Sequence, residues 1–137
     1  MSKRKLSLVS TAFLSLALMG TVVAYSSTNS VQSTEYFKLT GTHNNYSYTL
    51  KVTGNTISVN GSTQYSKSNC GRSVGILGAY ISPAFLGYQT KSSNMGGGSG
   101  EVSANVSVTD TIYERFISAY TEHVLDGWEY DQTCGVY

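Results

Sequence analysis

Asp126-Gly127 stands between two runs rich in strand-forming residues, Tyr113–Leu125 and Trp128–Tyr137. A two-residue type I′ turn needs positive φ at both central positions, so Asp-Gly in this setting is a strong hairpin signal. Counting outward from it sets a register. Leu125 opposes Trp128, His123 opposes Tyr130, Thr121 opposes Gln132, Ala119 opposes Cys134 and Ile117 opposes Val136. Side chains alternate with a period of two, so these pairs share one face. The other face takes Val124 with Glu129, Glu122 with Asp131, Tyr120 with Thr133 and Phe116 with Tyr137. One face is mainly apolar and carries a cysteine, while the other gathers three carboxylates.

A short helix near residues 111–125 competes with this reading. Ile112, Tyr113, Phe116, Ile117, Tyr120 and Val124 fit a helical stripe, Thr111 and Glu114 fit a capping box, and Gly127 fits a stop. Composition favours strands. The segment is rich in Ile, Tyr, Phe, Thr and Val, and it follows the alternating run Val102–Val108.

At the other end, Lys3-Arg4-Lys5 precedes an uncharged apolar run from Leu6 to Val23, and Val22 and Ala24 are small enough for a signal-peptidase site. Residues 1–24 therefore read as a secretory signal peptide, 25–34 as a flexible polar segment, and 35–137 as a single β-rich domain. The expected location is extracellular. No later apolar run is long enough to serve as a transmembrane anchor after signal cleavage. Beyond residue 24 six basic and eight acidic residues remain, which gives no electrostatic basis for binding nucleic acid or anionic membranes.

Cys70 and Cys134 both follow the cleavage site. In an exported chain two cysteines most simply form one disulfide. Closing that loop is worth about 4 kcal/mol on the chain-entropy model. Eleven tyrosines and a single proline point to sheet rather than to a helix bundle. The expected fold is all-β: a small antiparallel β-sandwich, or a meander of short strands, held by one disulfide.

Along the domain, Tyr36–Leu39 reads as a first strand ending in Gly41–Asn45, and Tyr46–Val52 as a second. Gly54-Asn55 turns the chain into Thr56–Val59, and Asn60-Gly61 reads as a further hairpin turn into Ser62–Ser66. Cys70 falls in a polar loop. The most apolar stretch, Val74–Tyr88, reads as a core strand broken at Ser82-Pro83, and Asn94–Gly100 as a flexible loop. The loop lacks the Gly-Lys-Ser/Thr ending of a phosphate-binding loop.

Few residues announce chemistry. Glu122, Glu129 and Asp131 share a sheet face, where opposed like charges destabilise unless something compensates. Ca²⁺ or a partner surface would do so, and a salt-screened solvated face is the plain alternative. Trp128 and Tyr130 are candidate aromatic contacts, though aromatics equally fill sandwich cores. His43 is expected in a loop and His123 in the core, and neither has metal-ligand spacing. Asn45, Asn60 and Asn105 begin glycosylation sequons. No Gly-x-Ser-x-Gly elbow or Cys-x-x-Cys pair occurs, so no catalytic residue is assigned.

The sequence therefore suggests a secreted, non-enzymatic β-sandwich that binds an extracellular protein or a cell-surface component. Two alternatives belong to other classes: a bacteriocin-like antimicrobial or membrane-active protein using residues 74–88, and a small hydrolase using the acidic residues.

Overall fold

Positive φ occurs where the sequence supplies residues that tolerate it. In the computed structural model, which describes residues 32–97 and 100–137, Asn44 and Asn45 have φ of 50° and 68°, and Asp126 and Gly127 of 47° and 79°. Each pair closes a two-residue hairpin of the primed type. Residues 1–24, expected as signal peptide, lie outside the described residues. So does most of 25–34, although Thr34 already opens the first strand.

Eight strands follow: β1 (Thr34–His43), β2 (Tyr46–Gly54), β3 (Ser58–Tyr65), β4 (Arg72–Ile81), β5 (Leu86–Met95), β6 (Gly100–Ser107), β7 (Arg115–Leu125) and β8 (Trp128–Gly135). They form two antiparallel four-stranded sheets, ordered β1-β2-β3-β6 and β5-β4-β7-β8. The core lies between them. Val52, Val59, Val102, Ala104 and Val106 come from the first sheet and Val74, Ile76, Phe116 and Ala119 from the second. All are buried, and full burial of each larger apolar side chain contributes about 1.5–3 kcal/mol.

The C-terminal hairpin pairs as the Asp-Gly turn implies, from Leu125 with Trp128 through Glu122 with Asp131 to Ala119 with Cys134. The next pair, Ser118 with Gly135, keeps that register, and the Val136 amide donates to Ile117 O (3.0 Å), but the pairing of β7 with β4 is irregular. Ala79 pairs with Ser118 but Tyr80 pairs with Phe116, which leaves Ile117 as the extra residue of a bulge. The bulge turns Phe116 into the core and Ile117 to the outer face, the reverse of strict alternation.

Three further points are decided by the structure. First, the competing helix is absent: no described residue is helical, and 115–125 is strand, the reading that composition favours. What resembles a helix cap is a single turn. Asp110 Oδ1 accepts from the amides of Ile112 (3.0 Å) and Tyr113 (3.4 Å), and Glu114 Oε2 accepts from those of Thr109 (3.0 Å) and Asp110 (3.1 Å). The Phe116 amide then donates to Thr56 O (2.6 Å) and commits the chain to the sheet. Being central, β7 is buried on both faces, which a one-sided helical stripe would not be.

Second, Asn60-Gly61 is not a turn. Asn60 pairs with Thr53 and Asn105, and Gly61 with Val52 and Ala104, in the middle of β3. The glycine serves close packing: a Cβ there would lie 3.1 Å from Thr121 and 3.2 Å from Val74 across the interface.

Third, Cys70 and Cys134 are not bonded to each other. Cys70 adjoins the β7–β8 turn, where the Asp126 amide donates to Gly71 O (2.9 Å). Cys134 lies six residues along β8 from Trp128, roughly 20 Å at the rise of a strand. A disulfide needs Cα atoms within about 7 Å, so the sheet itself keeps the two thiols apart.

Candidate functional site

Alternation along β4, β5, β7 and β8 decides what the outer face of the second sheet displays. Leu77 pairs with Tyr120, Ala79 with Ser118 and Ile81 with Leu86, all on the side turned away from the first sheet. With Ile117 they form an apolar cluster separate from the main core. Ala79, Ile117 and Tyr120 are buried within it, and Leu77, Ile81 and Leu86 are half-buried. Tyr88, the cross-strand partner of Ala79, extends this face and is 46% exposed, whereas Phe85, 54% exposed, meets Tyr80 of the main core edge-on at 6.0 Å. Phe85 belongs to the β4–β5 turn, where the Ser82 amide donates to Phe85 O (3.0 Å) and Ser82 Oγ accepts from the Ala84 and Phe85 amides (3.3 Å each).

The three predicted carboxylates adjoin this cluster. Glu122, Glu129 and Asp131 bring one oxygen each within 4.8 Å of one another. Asp131 is exposed, while Glu122 is buried. The Tyr120 hydroxyl hydrogen-bonds Asp131. Its pKa is raised by burial first, then by the charges of Asp131 and Glu122, so it stays a donor to the acidic edge. The geometry offers a hard cation three carboxylate ligands from one open sheet face.

Trp128 and Tyr130 point the other way. Tyr130 stacks on Phe37 (centroids 5.9 Å apart, 12° between planes), and Trp128 stacks on His43 (5.3 Å, 20°) and meets Tyr48 at 5.2 Å. Both half-buried rings join the sheets at the end of the sandwich holding the two primed turns. His43, expected in a loop, is the last residue of β1 and part of this stack. Lys67 Nζ meets Asp126 Oδ2 at 2.5 Å and ties the β7–β8 turn to the β3–β4 loop. That hydrogen bond raises the Lys67 pKa and lowers that of Asp126.

His123 faces inward as expected, with no exposed surface. Its Nδ1 lies 2.8 Å from Thr63 Oγ1 and its Nε2 lies 3.0 Å from Thr121 Oγ1. Burial pushes its pKa down to about 4, outweighing the Ser62 carbonyl, which favours the charged form. Cys134 lies 3.7 Å from the Ala119 carbonyl, and burial lifts its thiol to about 11. It is a neutral thiol at physiological pH.

Arg72 gave no sequence signal. It is 2% exposed, and its guanidinium donates to the carbonyls of Lys67 (2.8 Å), Gly100 (3.1 Å), Cys70 (3.3 Å) and Tyr65 (3.4 Å). A charged residue opening an apolar run is the one clue, because an unaccompanied buried charge is costly and must collect acceptors. Of the sequons, Asn45 sits in the β1–β2 turn, while Asn60 and Asn105 are cross-strand partners on the outer face of the first sheet. A groove of about 360 Å³ on the first sheet, lined in part by Ser47, Thr49, Gln64 and Ser66, is polar and shallow.

Comparison with protein-family models, with curated proteins and with solved structures finds no match. Function is therefore read from the geometry alone.

Proposed function

We propose that the protein is an exported, non-enzymatic binding module that engages an extracellular protein or cell-surface component through the outer face of its second sheet. The observation that carries this reading is the apolar cluster on that face, Leu77, Ala79, Ile81, Leu86, Ile117 and Tyr120, extended by exposed Tyr88 opposite Ala79. One apolar face per sheet suffices to close a sandwich core, and an apolar face beyond that marks an interaction surface. The acidic edge formed by Glu122, Glu129 and Asp131 gives the surface a polar border.

The non-enzymatic part of the reading rests on the likeliest reactive groups being engaged elsewhere. Both His123 nitrogens have threonine partners, the Cys134 thiol is neutral, and the carboxylates lie on an open face rather than in a cleft. A second reading, membrane activity, draws support from Phe85 at the tip of the β4–β5 hairpin.

The test is binding to cells and to cell-wall fragments by wild type and by a Leu86→Ser, Tyr88→Ser variant. Wild type is expected to bind saturably, and the folded variant at least tenfold more weakly. Equal binding by the two would remove this face from consideration. Dye release from lipid vesicles at micromolar wild-type protein would transfer the reading to membrane activity.

A further inference from the structure

We propose that His123 is an acid-sensitive latch, which when neutral ties the two sheets together through Thr63 and Thr121 and when protonated opens the seam between β3 and β7. The hydrogen bonds fix its working state. Thr63 Oγ1 donates its one hydrogen to Ser73 O at 3.0 Å, so toward His123 it can only accept. His123 Nδ1 therefore carries the hydrogen of the 2.8 Å contact, and Nε2 accepts from the Thr121 hydroxyl at 3.0 Å. The relay runs from β4 to β3 to β7, crossing between the sheets twice.

A second proton breaks this arrangement. With Nε2 protonated, Thr121 Oγ1 must accept, and its hydrogen is left with Gln132 O at 3.5 Å, a stretched contact. The Ser62 carbonyl favours the new charge, but burial outweighs it. From β4, Val74 is the cross-strand partner, and Arg72 on the same face carries a positive charge. From β8, Tyr130 is the partner, with Trp128 and Gln132 flanking it. The first sheet contributes Thr63 and Tyr65 from β3, Leu50 and Val52 from β2, Val102 from β6 and Phe37 from β1, all without charge at neutral pH. Of the carboxylates of this hairpin, Glu122, Glu129 and Asp131 alternate onto the opposite face of the sheet, and Asp126 in its turn is paired with Lys67.

Buried His123 binds its proton near pH 4, whereas an unfolded histidine does so near 6.5. Between these values the open chain holds more protons than the folded one, so stability rises with pH across the window. The latch is fully effective above about pH 6.5 and is lost as pH falls toward 4.

The experiment is a thermal melt of the protein at pH 7 and pH 5. The folded-to-unfolded ratio is expected to fall about 20-fold, seen as a drop of roughly 10 °C in Tm. A His123→Gln variant, less stable throughout, is expected to lose most of that pH dependence. A wild-type Tm that stays flat, or a variant that falls in parallel, overturns the proposal. Should His123→Gln fail to fold, the ring-proton NMR resonance of His123 in the wild type decides. It is expected not to move between pH 7 and 5.5, and a titration centred near 6.5 in the folded protein overturns the latch.

Discussion

The two sheets present contrasting outer faces. On the first, Thr40, Thr49, Lys51, Asn60, Gln64 and Ser103 alternate with core residues, as expected of a sheet wetted on one side. Ser58, Asn105 and Ser107 bond to one another along it at 3.0–3.3 Å. The second sheet is apolar toward the core and apolar again on its outer side, with an acidic edge beside the outer cluster. Core formation explains the inner faces of both and the outer face of the first. It does not explain the outer face of the second, which is why function is sought there.

The contrast can be broken at three levels. The largest expected effect is on the shared interior. Phe116→Ala should cost about 3–5 kcal/mol, which for a domain of this size lowers Tm by about 15 °C or more. A loss as small as that of a surface substitution would mean that the bulge does not direct Phe116 inward. Next come the two outer faces compared with each other. Thr49→Ala and Gln64→Ala should each change stability by no more than about 0.5 kcal/mol and leave surface binding intact, against the tenfold loss expected for Leu86→Ser with Tyr88→Ser. Binding that instead follows the first-sheet substitutions would exchange the roles of the faces.

Calcium is expected to have the smallest effect. Three carboxylates on an open face fall short of the six to eight oxygens calcium takes. Millimolar calcium should therefore shift Tm by no more than about a degree. A larger rise that chelator reverses and Glu122→Gln abolishes would make the acidic edge a cation site.

Much of the second sheet was legible in advance because its information is local. Asp126-Gly127 dictates the turn, the turn dictates the register, and the register places Glu122 beside Asp131 and His123 in the core. The apolar row was half legible: an apolar run such as Val74–Ile81 fills both faces of a strand, and this implies burial or contact on both sides. Asn60-Gly61 misled because the same dipeptide that favours a turn also provides, through its glycine, the clearance a central strand needs where the opposite sheet comes close. The helical periodicity of 112–124 competed with the strand reading because period 3.6 and a strand buried on both faces select similar residues.

The sequence by itself determined the all-β class, the primed turn at Asp126-Gly127, the strand pairing of the C-terminal hairpin and the sorting of its carboxylates from its histidine. These follow from φ preferences and the two-residue period, which act over a few residues. Tertiary structure alone decided that Ile117 is a bulge, that Cys70 and Cys134 stay apart, that Arg72 is buried among carbonyls and that Thr63 reaches His123 from the other sheet. Each of these depends on which strand lies opposite which across the core, and that choice is made by packing between segments as many as sixty residues apart in the chain.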